Sequence, residues 1–232
     1  MGRSRIEWVR NEDDSQGYTI NPVKGLCPMA CSYCYARKIY KRFKWNPEIR
    51  YDVQPLLDIE KIKKPSRIFV GSTMELFGEW VDAFWLDSIF KTVKAHPQHT
   101  FIFLTKQPWN LPDKFPPNCW VLVSVDGTDN APLGRMLYTK FDRIQASVKG
   151  ISFEPLLADP KLDYRDLEWV GISWVIIGQK TPPSKSTSPK MEWIDEIEDA
   201  CRKAGIPFFE KFNLKELLNR TLVHTKQYPQ IS

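Results

Sequence analysis

Seven short apolar runs, rich in β-branched and aromatic residues, recur along the chain: Gly17–Val23, Arg67–Gly71, Thr100–Leu104, Trp120–Val125, Gly150–Phe153, Trp174–Gly178 and Pro207–Phe209. Several are apolar on successive residues, as in Ile68-Phe69-Val70 and Phe101-Ile102-Phe103-Leu104. Strands buried on both faces read this way. Between the runs lie stretches with helical spacing. Val81–Ala95 sets Phe84, Ile89, Phe90 and Val93 near one face, and Met191–Ala204 does the same with Trp193, Ile194, Ile197, Ala200 and Cys201. Asp129–Leu137 reads as a shorter helix. Ser188 or Pro189 would start the late helix and Gly205 would stop it.

Strands alternating with helices predict parallel βα units. The expected fold class is α/β, a partial (β/α) barrel of about six or seven parallel strands, with an open doubly wound sheet as the alternative. One domain is expected over residues 1–220, with a loop at 25–36 of special chemistry and a polar tail over 221–232. The Pro/Ser/Thr/Lys stretch Thr181–Lys190 is the best candidate for disorder.

Almost every apolar run is followed at once by polar side chains. Ser72, Thr73 and Glu75 follow the second, Thr105 and Lys106 the third, and Ser124 and Asp126 mark the end of the fourth. Glu154 follows the fifth, Gln179 and Lys180 the sixth, and Glu210 and Lys211 the last. Any one such residue is ordinary for an exposed loop start. Their repetition over six strands points to a shared site at the strand C-termini, as in barrels.

Three of the five cysteines stand in eight residues, Cys27-Pro-Met-Ala-Cys31-Ser-Tyr-Cys34, a C-x3-C-x2-C spacing. Cys119 and Cys201 are solitary. An odd count with a cluster suggests metal binding in a reducing compartment rather than a disulfide framework. A structural zinc site wants four ligands, usually in two pairs, and His96, His99 and His224 have no clear ligand spacing to the cysteines. A redox pair at Cys31 and Cys34 is formally available, but Cys27 makes it less natural. An iron–sulfur cluster fits best, because short cysteine spacings wrap one corner of a cube. Gly25 would let the backbone turn into the loop and Pro28 would stiffen it.

With Tyr33 before the last cysteine and the loop after the first strand, these residues resemble the radical S-adenosylmethionine superfamily. Most of the chain is similar to a small phage-type radical-SAM family. The matching segments include Ile6-Glu-Trp, Asn21-Pro-Val, Cys34-Tyr-Ala, Leu104-Thr-Lys, Phe153-Glu-Pro-Leu-Leu and Gly205-Ile-Pro-Phe-Phe. The resemblance implies a barrel of radical-SAM type and two cofactors, a [4Fe-4S] cluster and S-adenosyl-L-methionine. Cys27, Cys31 and Cys34 would each bind one iron. The cofactor's amino and carboxylate groups would chelate the fourth, and reductive cleavage would give a 5′-deoxyadenosyl radical that abstracts substrate hydrogen.

The same resemblance assigns cofactor-binding roles. Ser72, Thr73 and Glu75 would meet the ammonium and Lys106 the carboxylate. Ser124 and Asp126 would take the ribose diol, Glu154 the cofactor or the substrate, and Tyr33 the adenine. Relatives tend to read Gly-Gly-Glu-Ser after the sixth strand, where this chain has Gly178-Gln179-Lys180-Thr181. The competing expectation is a noncatalytic iron–sulfur or zinc protein that binds nucleic acid or senses redox state.

Charge bears on partners. The formal net charge of +5 is mild. It is concentrated in Arg37-Lys-Ile-Tyr-Lys-Arg-Phe-Lys-Trp45, where five of nine residues are basic. Cations neutralise phosphates and aromatic faces stack on bases. A nucleic-acid or nucleotide substrate follows as one expectation; the other is a helix with Ile39, Tyr40 and Phe43 turned inward and the cations solvated. The remaining expectations are a flavodoxin- or ferredoxin-like electron donor, no membrane association, a monomer and a cytoplasmic location.

Overall fold

The computed structural model describes residues 2–129, 131–215 and 225–229. The chain forms two compact units. One comprises Met1–Thr105 with Pro116–Trp120, the other Lys106–Phe115 with Val121–Ser232.

In the first unit, β1 (Gly2–Arg3) pairs antiparallel with β2 (Tyr18–Ile20). Next come β3 (Val23–Lys24), α1 (Tyr35–Phe43) and β4 (Arg50–Tyr51), which returns antiparallel onto β3. This two-stranded pair closes a loop that carries the three cysteines and α1. After α2 (Gln54–Leu57), β5 (Arg67–Val70) lies parallel to β2. α3 (Ala83–Ala95) then crosses to β6 (Thr100–Thr105), which is parallel to β5. Ile20 stands opposite Val70, and Val70 opposite Phe103. All three are buried, as are Ile89 and Val93 on α3. Each such side chain contributes about 1.5–3 kcal/mol by leaving water. α3 starts two residues later than its apolar spacing suggests because Asp82 caps it, accepting from the Phe84 N–H at 2.7 Å. Phe84 is exposed. It lies five positions before Ile89, about 140° round the helix.

A histidine pair of structural character, His96 and His99, precedes β6. Nδ1 of His99 accepts from the Ser66 N–H at 3.2 Å, and its ring lies 6.2 Å from that of His96. Burial first, and then the neighbouring His96, hold His99 below the usual histidine range. Between its folded value and about 6.5, the unfolded chain therefore binds more protons. His99 thus contributes stability that is full above about pH 6.5 and is lost as pH falls below it. We expect the urea midpoint to drop from pH 7.5 to 5.5, and the drop to shrink in His99→Gln.

β7 (Cys119–Ser124) falls at the division, with Val121–Ser124 in the second unit. There it is followed by α4 (Leu133–Tyr138), β8 (Val148–Phe153), α5 (Tyr164–Val170), β9 (Trp174–Ile177), α6 (Met191–Ala204) and β10 (Phe208–Glu210). β8, β9 and β10 are parallel neighbours. α4 is shorter than the expected Asp129–Leu137 because Pro132, at its N-cap, holds an extended conformation (φ −72°, ψ 144°). α6 has the expected span and ends at Gly205, left-handed with φ +66°. Its N-cap is Lys190 rather than Ser188 or Pro189. The stretch expected to be disordered makes a turn, with the Thr187 and Ser188 N–H groups donating to the Ser184 carbonyl.

The expected polar tail, 221–232, lies largely outside the described residues. Its described part, 225–229, is held along β10. Lys226 bridges Phe209, Trp174 Nε1 donates to the Gln227 carbonyl at 3.0 Å, and the Tyr228 ring lies 5.5 Å from those of Trp174 and Phe209.

The strand order is β1-β2-β5-β6-β7-β8-β9-β10 in one mostly parallel sheet. The α/β expectation is met, with an antiparallel edge strand, β1, whose Gly-Arg sequence carries no apolar signal. No helix among the described residues is long and apolar enough to cross a membrane.

Candidate functional site

The cysteine loop leaves the sheet just past the C-terminal end of β2. Gly25 opens it at φ +121°. Its N–H donates to the Tyr40 hydroxyl at 2.8 Å, and the Leu26 N–H donates to the Pro47 carbonyl at 2.8 Å. The base of the loop is therefore tied both to α1 and to the segment that leads into β4. Inside the loop, Ala30 takes a left-handed φ of +49°, and its N–H reaches back to the Cys27 carbonyl at 3.4 Å. The Cys34 N–H donates to the Cys31 carbonyl at 3.0 Å. Cys34 is the N-cap of α1, whose first turn has no acidic residue.

All three loop cysteines are partly exposed and outside any disulfide. Burial pushes the Cys27 thiol up from its ordinary value, and the backbone N–H groups of Glu75 and Met29 pull the other way. The Glu75 N–H donates to Cys27 Sγ at 3.4 Å. Arg37, on α1, donates from Nη2 to the Cys27 carbonyl at 2.8 Å, while its Nε is buried with no hydrogen-bond partner. Among the described residues, no three Cys, His, Asp or Glu side chains converge as they would around a single metal ion. Thiolates on separate corners of an iron–sulfur cube stand further apart than ligands of one ion. Three soft thiols, an N–H directed at sulfur and an orphaned Arg37 N–H together form a donor set suited to such a cluster.

The segment after β5 lies at the same end of the first unit's parallel strands. The Glu75 carboxylate is buried, accepting from the Phe77 N–H at 3.1 Å and the Thr105 hydroxyl at 2.7 Å. Asn21, just past β2, takes the Ser72 hydroxyl and the Thr73 N–H, each at 3.2 Å. The Tyr35 hydroxyl donates to the Ser72 carbonyl at 2.8 Å. Tyr33 is partly exposed on the cysteine loop. Thus Cys27, Ser72, Thr73 and Glu75 are gathered. Asn21, Tyr35 and Thr105 support them without having been assigned a role.

The other expected site residues belong to the second unit. Lys106 donates to the buried Ser124 hydroxyl. Asp126 is buried, and its Oδ1 accepts from the Thr128 N–H at 3.0 Å and hydroxyl at 2.7 Å, an Asx-type turn that uses this oxygen locally. Glu154 accepts from the Ser152 hydroxyl at 3.2 Å and pairs with Lys211 at 2.5 Å. Gly178 permits that pair, since a Cβ there would stand 2.8 Å from Lys211 Cδ. Lys211 was visible only as one more polar strand end; its partnership with Glu154 is a product of the fold. Gln179 is buried against Asn213. The Asn213 side chain donates to the Gln179 carbonyl at 2.7 Å, and the Gln179 side chain donates to the Asn213 carbonyl.

No curated protein matches the chain. A family model described as a protein of unknown function, DUF5131, matches residues 3–218. The stretch from Arg3 in β1 to beyond β10 is thus covered, and the chain belongs to the DUF5131 family.

Proposed function

We propose that the chain is a radical S-adenosylmethionine enzyme, and that the partial-barrel fold of that superfamily goes with it. The observation that carries the reading is the C-x3-C-x2-C loop at the C-terminal end of parallel strands, with the Glu75 N–H directed at Cys27 Sγ. Cys27, Cys31 and Cys34 would hold three irons of a [4Fe-4S] cluster as thiolates, leaving the fourth for S-adenosyl-L-methionine. When bound, this pair supplies reductive cleavage of the sulfonium and, through it, removal of a hydrogen atom from a substrate.

The chain's own residues would bind and orient. The Glu75 carboxylate is fixed by Thr105 and Phe77 at a strand end and would accept from the cofactor's ammonium. Ser72 and Thr73, positioned through Asn21, would line the same end. An N–H near sulfur, such as that of Glu75, would stabilise the charge carried by thiolates, and Arg37 would hold the loop through the Cys27 carbonyl. Tyr33 would lie beside the adenine. For Lys106, Ser124, Asp126 and Glu154, the proposed cofactor contacts rest on the sequence resemblance. An external flavodoxin- or ferredoxin-like donor would supply the electron.

Anaerobic reconstitution with iron and sulfide tests the reading. We expect a brown protein that converts S-adenosylmethionine to 5′-deoxyadenosine with dithionite. A colourless, zinc-loaded protein without cleavage would establish the noncatalytic alternative instead.

A further inference from the structure

The helix that begins at Cys34 ends in a feature the cluster does not need. Lys44, its C-cap, takes a left-handed conformation (φ 50°, ψ 40°) and turns the chain back. The Trp45 N–H then donates to the Tyr40 carbonyl at 3.1 Å. The turn lays the Trp45 ring against Phe43, with centroids 5.9 Å apart and planes 27° apart, and sets Trp45 edge-on to Tyr40 at 5.4 Å. Tyr40 is buried, but Phe43 remains 56% exposed and Trp45 51%. The Arg42 guanidinium lies over the Phe43 ring at 5.3 Å. The expectation that Phe43 turns inward is therefore not met; the left-handed turn makes it half of an exposed, stacked aromatic pair.

The charge on α1 and its C-cap has one sign. Lys38, Lys41, Arg42 and Lys44 are all exposed. No Asp or Glu occurs in the sequence between Asp14 and Glu48. α1 itself is Tyr-Ala-Arg-Lys-Ile-Tyr-Lys-Arg-Phe, so no i,i+4 carboxylate neutralises its cations. Like charges on one short helix repel, and two half-exposed rings leave apolar surface in water. Both costs are offset by a polyanion that also presents flat apolar faces.

We propose that this platform binds single-stranded nucleic acid, with Phe43 and Trp45 stacking on unpaired bases and the four cations on the flanking phosphates. Base–aromatic stacking requires unpaired bases, because duplex bases already stack on one another. An acidic protein surface would satisfy the cations but leave the rings without partners. An anionic membrane would demand a broad apolar face, whereas α1 carries exposed Lys38, Lys41 and Arg42 between the exposed Tyr35 at its start and the Phe43–Trp45 pair at its end. The platform lies one nine-residue helix, about 13 Å, from Cys34. As a statement of substrate class it rests on the radical-SAM reading; as a statement of binding it does not.

The test is fluorescence anisotropy of a labelled mixed-sequence oligonucleotide, as DNA and as RNA. It is run on reconstituted and on cluster-free protein from one preparation, with cofactor cleavage assayed separately. We expect binding in the micromolar range at low salt, with log K falling against log salt at a slope of about −3 for four phosphate contacts. Trp45→Ala should weaken binding about tenfold and Trp45→Phe should restore most of it. Lys41→Glu with Arg42→Glu, both exposed, should weaken binding and flatten the salt slope. Melting curves of each variant check its fold.

The proposal is overturned by no binding at 100 µM protein and about 50 mM salt. It is equally overturned if folded Trp45→Ala and charge-reversal variants bind like wild type, or if duplex, polyglutamate or anionic vesicles are bound as tightly as the single strand. Loss of cofactor cleavage with binding intact would refute the radical-SAM reading alone.

Discussion

Replacing Cys27, Cys31 or Cys34 by Ala, one at a time, is expected to reduce the iron retained after anaerobic reconstitution from about four per chain to near zero. The visible absorption and 5′-deoxyadenosine formation should vanish with it. The loss should be nearly complete because the three thiolates would be the chain's whole share of the ligand set; two corners leave the cube open to solvent on its other sides. The informative controls are the two other cysteines. Cys119 and Cys201 are buried, and burial pushes both thiols up to about 12, with the Glu198 carboxylate adding to the effect at Cys201. They remain protonated and inert at neutral pH. Cys119→Ala and Cys201→Ala should therefore keep full iron and cleavage, at the modest stability cost of a small core deletion. An alanine variant of the loop that keeps wild-type iron and cleavage would end the assignment.

The contrast between these two sets of cysteines was already legible in the sequence, and the reason is local. Three cysteines within eight residues must share a loop wherever the fold takes them. The doubly buried strands were legible for a similar reason: runs such as Phe101-Ile102-Phe103 have no polar face to hide. α6 was legible because four buried residues recur at helical spacing before Gly205.

What escaped was set by short elements and long-range partners. β3 and β4 are two residues each, too short for any period, yet their pairing defines the loop. α5 is seven residues long. Its one sequence mark is the Asp163-x-x-Asp166 capping box before Gly171, which an apolar scan passes over. Arg37 read as one cation among five, and only the packing of α1 turns its guanidinium toward Cys27. Glu75 was legible as a strand-end acid. Its backbone N–H on Cys27 Sγ depends on a contact forty-eight residues away in sequence, which no local pattern encodes.

Gly25 joins what the sequence carries to what the fold adds. Before the first cysteine, it reads as a turn. In the folded chain its φ of +121° is a region L side chains avoid, and a Cβ would stand 2.6 Å from the Glu48 carbonyl oxygen and 2.7 Å from the Ile49 Cα. Both obstacles are backbone of the returning segment, so a rotamer change does not relieve them. Gly25→Ala must therefore either strain the residue or push the segment before β4 away from β3. That shift would break the Gly25 N–H bond to Tyr40 and the Leu26 N–H bond to Pro47.

We expect a loss of about 2–3 kcal/mol, from the backbone strain and the overpacked contact. It should appear as a lower urea midpoint and as faster hydrogen exchange at Lys24, Leu26 and Tyr51. With its base open, the loop no longer holds three sulfurs in one geometry, so the variant should also lose iron faster than wild type during anaerobic gel filtration. Gly134, inside α4 with nothing within 4 Å of an added Cβ, supplies the contrast. Gly134→Ala should be neutral or stabilise by about 0.5–1 kcal/mol. If Gly25→Ala matched Gly134→Ala in stability and iron retention, the β3–β4 base would not be what shapes the cysteine loop.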